Sequence, residues 1–210
     1  MISQENAHTF RITHINNVQW ILSNGIHCRN SPIRDPNFHE IGNPDLIGKR
    51  ARRQVPIAPG GTLSDYVPFY FTHYSPMLYN IKTGFQGMRR TQMEEIVIFV
   101  SNLHRMQELG HRFLFTDQHA YPVSARYFHE LSDLKHIDWR IIAARNFSRD
   151  PDDPGKIERY MAESLIYQHV PLSALKGMVC YSPAAEAKVL AMQHQAGVQL
   201  KTAIKPDWYF

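Results

Sequence analysis

The order and spacing of the predicted elements indicate an α+β fold built largely on antiparallel sheet. Strand-like segments at 10–14, 65–71, 95–100 and 178–181 are mixed with helical ones, without the regular strand–helix–strand alternation of parallel α/β proteins. The chain has 210 residues, of which 43% are hydrophobic, so it is long enough to bury a core. It contains no internal repeat or long linker, and we therefore expect a single domain over residues 1–210.

Alternation and capping signals predict the individual elements in order. Besides the strands above, the pattern predicts strands at 113–116, 163–170 and 198–204. Helices are predicted from 18 to a Gly25 that follows the helix end, from Pro76 behind a Ser75 cap, from a Ser101 cap to 108, and at 124–134, 139–144, 154–162 and 183–195. Because Pro68 lacks a backbone donor, we expect its strand to lie at a sheet edge or to carry a bulge.

Several classes of protein are excluded by what the sequence lacks. Its longest apolar run, 96–100, falls far short of the ~20 residues that a membrane helix needs. The N-terminus has no signal-peptide pattern, so we expect a cytoplasmic protein without a membrane partner. Two cysteines, and twelve histidines without an H-E-x-x-H or H-x-H spacing, give no support for a metal site. Dinucleotide-fold glycine fingerprints, P-loops and G-x-S-x-G elbows are also missing from the sequence.

The positive charge is concentrated in one place. Lys plus Arg is 23 and Asp plus Glu is 19, a net charge of +4, and four cations fall within residues 49–53. They lie in a stretch rich in Pro and Gly, 29–62, that has little periodicity, and a loop of that length is usually functional or mobile. The cluster fits a solvated face, and it also fits contact with nucleic-acid phosphates.

Seven blocks of sequence, taken in order, resemble one known family. The blocks are Arg11-Ile12-Thr13-His14-Ile15 with Asn17, Gly48-Lys49-Arg50-Ala51, Gly60-Gly61-Thr62-Leu63 leading into Asp65 to Phe71, Ser75-Pro76-Met77-Leu78, Phe115-Thr116-Asp117 with His119-Ala120, Ala162-Glu163, and Trp208-Tyr209-Phe210. This pattern is similar to that of the DarT family of bacterial toxins, which ADP-ribosylate DNA using NAD. The resemblance runs nearly end to end. It implies an ADP-ribosyltransferase-like fold, with two small, mainly antiparallel sheets flanking an NAD cleft and helices around them.

Glu163 matches the catalytic glutamate of that family. The residues alone would also fit a solvated carboxylate at a helix end. Cleavage of the nicotinamide glycosidic bond develops positive charge on the ribose, and a carboxylate facing that charge stabilises the transition state more than the ground state. The resemblance therefore implies that Glu163 binds the ribose and carries the reaction.

Arg50 matches the family arginine implicated in activating the acceptor base. Since the guanidinium pKa lies above ~12, several roles stay open: steering the proton, polarising a carbonyl, or binding an NAD phosphate. A DNA-phosphate clamp shared with its neighbours is a further alternative. Lys49, Arg52 and Arg53 are the candidates for DNA phosphates.

The resemblance also assigns residues to NAD and to DNA. It implies that Arg11, Thr13, His14 and Asn17 hold the nicotinamide and its ribose, and that segment 35–55 covers NAD. Tyr70 corresponds to a ring stacked near nicotinamide, and Met77 and His119 to residues near the target base and phosphate. From the residues alone, core packing fits Tyr70 and Met77 as well, and a hydrogen-bonded strand histidine fits His14.

These expectations combine into one hypothesis and two rivals. ADP-ribose is transferred from NAD to thymine in single-stranded DNA, and an antitoxin containing a macrodomain removes the mark. Transferases that modify protein arginines carry an acidic residue two positions before the glutamate, where this chain has Met161. RNA or protein as the acceptor is the first rival. The second is a nucleic-acid-binding module with a degenerate NAD site.

Overall fold

A computed structural model describes residues 2–210, and ten β-strands and seven α-helices lie within them. The strands are β1 His8–His14, β2 Ile26–His27, β3 Tyr66–Tyr70, β4 Ile96–Asn102, β5 Phe113–Thr116, β6 Tyr127–Phe128, β7 Glu163–Tyr167, β8 His169–Val170, β9 Gly177–Cys180 and β10 Thr202–Ile204. The α-helices are α1 Val18–Asn24, α2 Pro44–Arg50, α3 Pro76–Thr83, α4 Leu103–Glu108, α5 Trp139–Ala143, α6 Lys156–Tyr160 and α7 Pro183–Ala196.

Eight of these strands form one sheet in the order β10-β9-β4-β1-β3-β7-β5-β6. Neighbours are antiparallel except β9 and β10. The central pair, β1 and β3, is in register only at Phe10 and Tyr70, so the sheet consists of two four-stranded halves that part on either side of that contact. The α+β prediction is confirmed, and the two expected small sheets are the two halves. A separate two-stranded sheet joins β2 to β8.

Pro68 lies in the middle of the sheet, contrary to the predicted edge or bulge. Its carbonyl points toward β1 and accepts a hydrogen bond from Arg11 Nη1 at 2.9 Å. The nitrogen and carbonyl of one strand residue point to the same side, so the missing donor also faces β1, where the ladder is already open. Pro68 therefore does not interrupt the pairing of β3 with β7. The edge of β3 that lacks a donor faces the gap between the two four-stranded halves of the sheet.

The core is formed in three clusters on the faces of the sheet. The largest packs α1, α4 and α7 around buried residues of β3 to β5, among them Phe69, Phe99 and Phe115. A second cluster holds α3 against β1 and β4, and a third joins the 55–66 segment to β5 and β7. Burial of apolar surface, at about 25 cal/mol per Å², stabilises these clusters on both halves of the sheet.

Three predicted elements differ in the structure. The 124–134 helix is wrong: Tyr127–Phe128 is a strand paired with β5, followed by a 3₁₀ helix at Leu131–His136. The spacing of the three apolar residues Ala125, Phe128 and Leu131 is compatible with a helix or with a strand. The segment forms a strand because it pairs with the buried strand β5. The 163–170 strand is broken at Gln168, whose φ is +62°, so that His169 pairs in the small sheet instead. Asn102 rather than Ser101 caps α4, because β4 continues to Asn102.

The 29–62 stretch also contains a helix that the weak periodicity did not predict. Asn43 caps α2 by accepting from Leu46 N at 3.1 Å, and Pro44 occupies the first helical position. Asp45 lies in the first turn and two cations in the last, which complements the helix dipole. The last turn of α2 contains Lys49 and Arg50.

Candidate active site

Glu163 begins β7 at the place where the two halves of the sheet part. It lies opposite Tyr70, the same residue that makes the single pairing of β3 with β1. Its side chain is only 1% exposed, so this carboxylate is removed from water and needs compensating partners. The sheet therefore fixes a charged group at the open centre of the fold.

The two carboxylate oxygens of Glu163 have different surroundings. Oε1 accepts from Arg50 Nη1 at 3.0 Å and from the backbone nitrogen of Ala120 at 3.0 Å, and His119 Nε2 lies 3.5 Å away. Oε2 lies 2.9 Å from Arg50 Nη2, an ion contact outside hydrogen-bond geometry, and makes no hydrogen bond among residues 2–210. Oε1 thus anchors the side chain, whereas Oε2 has only the ion contact with Arg50 and can still accept a hydrogen bond.

Charge holds Glu163 ionised in spite of its burial. Burial on its own raises the pKa of this carboxyl, but the Arg50 guanidinium and the hydrogen bonds to Oε1 outweigh it, and the pKa lies below its ordinary value. The same ion pair holds the pKa of Arg50 above its usual value against the opposing effect of burial. Both groups are charged near neutral pH.

Two cavities meet beside this ion pair. The smaller, about 520 Å³, is lined by Glu163, Arg50, Arg11 and Thr13, and residues of the 33–47 stretch form its outer wall. The larger, about 1070 Å³, is lined by His119 and Lys49 and by aromatic and apolar side chains. Four residues line both cavities: Asn43, Leu46, Tyr70 and Met77. The Tyr70 hydroxyl lies 3.9 Å from Met77 Sδ, so these two side chains stand at the boundary.

The predicted NAD residues fall into two groups. Arg11 and Thr13 line the smaller cavity, and burial lowers the pKa of Arg11 to about 10, which leaves it positively charged. Asn17 and His14 do not line either of the two described cavities. Asn17 instead makes two hydrogen bonds to the backbone of His39. Its Nδ2 donates to the His39 carbonyl at 2.9 Å, and its Oδ1 accepts from the His39 nitrogen at 2.7 Å. These bonds fasten the segment that covers the smaller cavity to the end of β1.

His14 also contacts His39, by stacking its ring on the His39 ring. Its ring lies 3.8 Å from the ring of His39, and its Nδ1 accepts from Asn16 N at 3.2 Å. Burial, and then the neighbouring His39, lower the pKa of His14, so the ring is neutral and carries its proton on Nε2. His14 and Asn17 are therefore placed to hold the covering segment.

The predicted DNA-phosphate cations are spread over the surface beside the larger cavity. Lys49 is exposed and lines that cavity, and Arg52 is exposed one turn further along. Arg53 is half-buried and donates from Nη2 to the carbonyl of Pro122 at 3.2 Å. Since Lys49 and Arg50 are consecutive residues at the end of α2, one faces the larger cavity and the other the smaller.

Comparison with known proteins places this arrangement in a family. The family model described as "DarT: ssDNA thymidine ADP-ribosyltransferase, DarT" matches residues 10–210. The chain belongs to the DarT family. It is thus an NAD-dependent ADP-ribosyltransferase acting on single-stranded DNA. A DNA ADP-ribosyl transferase of Escherichia coli O127:H6 is 48% identical over 209 residues, which is 100% of this chain and 96% of the relative.

Solved structures agree with that assignment. The chain matches Thermus sp. 2.9 DarT in complex with ADP-ribosylated single-stranded DNA with a TM-score of 0.90 at 32% identity, over 98% of this chain and 97% of the other. It matches the NAD⁺ complex of the same protein with a TM-score of 0.84 at 33% identity, over 98% of each chain.

A more distant sequence relative is a DNA ADP-ribosyl transferase-DNA ADP-ribosyl glycohydrolase fusion protein of Thermosipho africanus. It is 24% identical over 93% of this chain and 45% of the relative.

Some features around Glu163 and the two cavities were not predicted from the sequence. The backbone nitrogen of Ala120 cannot be identified from residue type, because any residue but proline supplies it. The Asn43-Pro44-Asp45 start of α2 could have been recognised as a cap followed by proline and an acid. Glu158 lines the larger cavity and has a buried Oε2 without a hydrogen-bond partner among the described residues, a property visible only in three dimensions.

The described part of the chain offers neither a cluster of metal ligands nor a helix that could span a membrane. Within residues 2–210, His, Cys, Asp and Glu side chains do not gather in groups of three or more that could hold a metal ion. Over the same range, the helices are too short and too polar to cross a membrane.

Proposed function

We propose that NAD binds in the smaller cavity, that single-stranded DNA binds in the larger one, and that ADP-ribose passes to a thymine where the cavities meet. The observation that carries this proposal is the buried ion pair of Glu163 and Arg50 beside the smaller cavity, in which Oε2 lies 2.9 Å from Arg50 Nη2 and accepts no hydrogen bond from the described residues. A buried carboxylate oxygen without a hydrogen-bond partner is costly unless a ligand completes its environment.

Glu163 supports cleavage of the glycosidic bond. Oε2 accepts a hydrogen bond from a hydroxyl of the nicotinamide ribose, and its negative charge faces the positive charge that develops on the sugar. The site is removed from water, so this interaction is stronger than it would be in solvent. Nicotinamide leaves as a neutral molecule, taking the electron pair of the broken bond.

Arg50 acts mainly by positioning Glu163. Its Nη1 holds Oε1 in place, and its charge keeps the carboxylate ionised. Nη2 makes no hydrogen bond among the described residues and lines the NAD side, where it is available to an NAD phosphate or hydroxyl. Of the alternatives open from sequence, this geometry favours a role on NAD.

The covering segment 35–55 encloses NAD against β1. Arg11 and Thr13 face the ligand from β1, and Asn17 and His14 hold His39 so that the segment stays over the cavity. Tyr70, at the boundary, offers a ring to nicotinamide or to the incoming base.

The larger cavity suits a strand of DNA whose bases are unpaired. Its lining combines apolar and aromatic surface, on which bases stack, with the cations Lys49 and Arg149, and it also contains the carboxylates of Asp45, Asp150 and Glu158. Met77 faces the target base, and Lys49, with Arg52 and Arg53 beyond it, contacts phosphates. A duplex would hide the ring nitrogen of thymine, so the substrate is single-stranded.

We propose further that this single domain acts in the cytoplasm as a toxin paired with a macrodomain antitoxin. The fusion of a DNA ADP-ribosyl transferase with a DNA ADP-ribosyl glycohydrolase in Thermosipho africanus supports a partner that reverses the modification. A bulky group on a thymine that blocks base pairing stops replication, which accounts for toxicity.

The proposal is tested by incubating the protein with NAD and matched oligonucleotides. We expect an ADP-ribose mass increase on single-stranded DNA containing thymine, and none on the same sequence with every thymine replaced by cytosine. The matched RNA and a cell lysate test the rival acceptors. Salt-dependent DNA binding without nicotinamide release would instead support a binding module with a degenerate site and contradict the proposal.

A further inference from the structure

We propose that Glu158 selects the base next to the target thymine, by accepting a hydrogen bond from an exocyclic amino group of that base. This inference rests on the proposed function, since it concerns DNA bound in the larger cavity. Cytosine, adenine and guanine carry such an amino group, and thymine does not. One carboxylate therefore sets a sequence preference around the target.

The Glu158 carboxylate lacks a partner for one of its oxygens. The residue lies on α6 and lines the larger cavity, and its Oε2 is buried without a hydrogen bond among the described residues. The cations of the same helix are paired elsewhere: Lys156 Nζ lies 3.9 Å from Asp150. Arg159 Nη2 lies 2.5 Å from Asp153. A buried acceptor without a donor is costly, so a ligand that supplies the donor completes this site.

Glu158 is close to the place where the two cavities meet. Its carbonyl accepts a hydrogen bond from His119 N at 2.8 Å, and the next residue, Ala120, donates its backbone N–H to Oε1 of Glu163. Helix α6 itself ends three positions before Glu163 begins β7. A nucleotide in contact with Glu158 is therefore a neighbour of the target and not a distant part of the strand.

The target thymine itself does not suit this carboxylate. Its two exocyclic oxygens accept hydrogen bonds, as the carboxylate does, and its one donor is the N3–H, at the nitrogen that forms the new bond in the proposed reaction. An acceptor in the DNA cavity thus has no donor to bind on the target base. It fits a different base of the same strand.

The wall beside Glu158 offers a surface for the face of such a base. Phe147 lines the same cavity and packs against Tyr160 of α6, two residues beyond Glu158, with ring centroids 5.4 Å apart. The Phe147 ring also packs against Phe210, at 6.0 Å. Aromatic stacking tolerates any base, so the hydrogen bond to Glu158 supplies the discrimination that stacking lacks.

The charges of the larger cavity favour a base rather than a phosphate at Glu158. A carboxylate repels the phosphate backbone, whereas Lys49 and Arg149 line the same cavity and attract it. Of the three carboxylates in this lining, those of Asp45, Asp150 and Glu158, only that of Glu158 has a buried oxygen without a hydrogen bond among the described residues. Glu158 is thus the acid of this cavity that is placed to read a base edge.

The test compares oligonucleotides that contain one thymine and differ only at the position immediately 5′ or 3′ to it. That position holds cytosine or 2-pyrimidinone, which is cytosine without its amino group. Two further pairs, adenine with purine and guanine with hypoxanthine, also differ by one amino group. We expect the wild-type protein to modify the amino-bearing member with a kcat/KM about 10–100-fold higher in at least one pair. In Glu158→Met, which removes the carboxylate, both members of that pair should react equally.

Two other variants complete the test. Glu158→Gln keeps a neutral acceptor, so its ratio should be intermediate, and it provides a second variant if Glu158→Met fails to fold. Glu108 is exposed on α4 and does not line either cavity, so Glu108→Met should keep the wild-type ratio. A ratio within one pair does not change when a variant is merely less stable, so it separates base selection from a structural role.

Equal rates for both members of every pair in the wild type would overturn the role of Glu158. A wild-type ratio that survives in Glu158→Met would overturn it as well. Failure of the proposed function is distinguishable from both outcomes, because the wild-type protein would then form no adduct on any of these oligonucleotides.

Discussion

Replacing Glu163 with Gln is expected to lower ADP-ribose transfer to DNA on the order of 10³-fold while leaving the fold intact. The amide has nearly the same shape but no charge, so it cannot stabilise the positive charge that develops on the ribose. NAD binding depends on many other contacts in the smaller cavity and should change far less than the rate. Nicotinamide release and adduct formation, measured together, should fall in parallel.

Glu108→Gln is the matched control for this variant. Glu108 is exposed at the end of α4 and is not among the residues lining either cavity, so the same chemical change there should leave transfer unaltered. Thermal unfolding of both variants checks the fold. Wild-type transfer rates in a correctly folded E163Q protein would show that the carboxylate does not carry the reaction.

Replacing Arg50 with Met is expected to reduce both activity and stability. The substitution leaves a buried carboxylate without its cation, and breaking a buried ion pair typically costs about 3–5 kcal/mol. Burial then raises the pKa of Glu163, so the residue becomes protonated near neutral pH and loses its catalytic charge. We expect transfer to fall on the order of 10²–10³-fold, and Arg50→Lys to lose less because it restores a cation.

The sign of the pH dependence separates this account from simple loss of packing. In the wild type the pKa of Glu163 is lowered on folding, so its contribution to stability is full above the unfolded pKa of about 4.3 and is lost only as pH falls through the folded value. In Arg50→Met the folded pKa is raised, so the folded state binds the extra proton and becomes more stable as pH falls from 7 toward 5.

Denaturant unfolding at pH 7 and pH 5 measures this difference directly. Arg29→Met serves as the control for stability, because Arg29 forms an ion pair with Glu40 in which both side chains are about half exposed. Such a pair contributes at most about 1 kcal/mol. If Arg50→Met were no less stable at pH 7 than Arg29→Met, the ion pair with Glu163 would not have the energetic role assigned to it.

The parts of the fold that sequence predicts well are those with strong local signals. α7 has a Ser182 cap and Pro183 at its first position, and the structure places it at Pro183–Ala196. β4 is a buried apolar run that has few alternatives. The 124–134 segment has no such signal, and Tyr127 and Phe128 follow the pairing offered by β5, a contact that is distant in the chain.

The central position of Pro68 shows a different limit. The general rule places proline at sheet edges because it lacks a donor, and the rule holds here in a local sense. The side of β3 that lacks the donor faces a gap in the middle of the sheet. Only the three-dimensional pairing shows that the gap is internal and that Arg11 fills it.

The candidate site was predictable through resemblance but not through residue chemistry alone. Glu163 and Arg50 are 113 positions apart in the sequence, and no local pattern indicates that they form an ion pair. The structure adds which side of the boundary each residue faces. It places Arg50 beside the smaller cavity and His119 beside the larger one, and it gives Asn17 and His14 an anchoring position that sequence did not suggest.

The most direct test of the central claim is a structure of the protein bound to a non-cleavable carba analogue of NAD and a thymine-containing oligonucleotide. We predict that the nicotinamide ribose lies against Oε2 of Glu163 in the smaller cavity and that the target thymine enters from the larger one. The thymine N3 and the anomeric carbon of that ribose should lie about 3–3.5 Å apart, across the boundary marked by Tyr70 and Met77. NAD bound in the larger cavity, or a thymine that approaches without passing that boundary, would contradict the account.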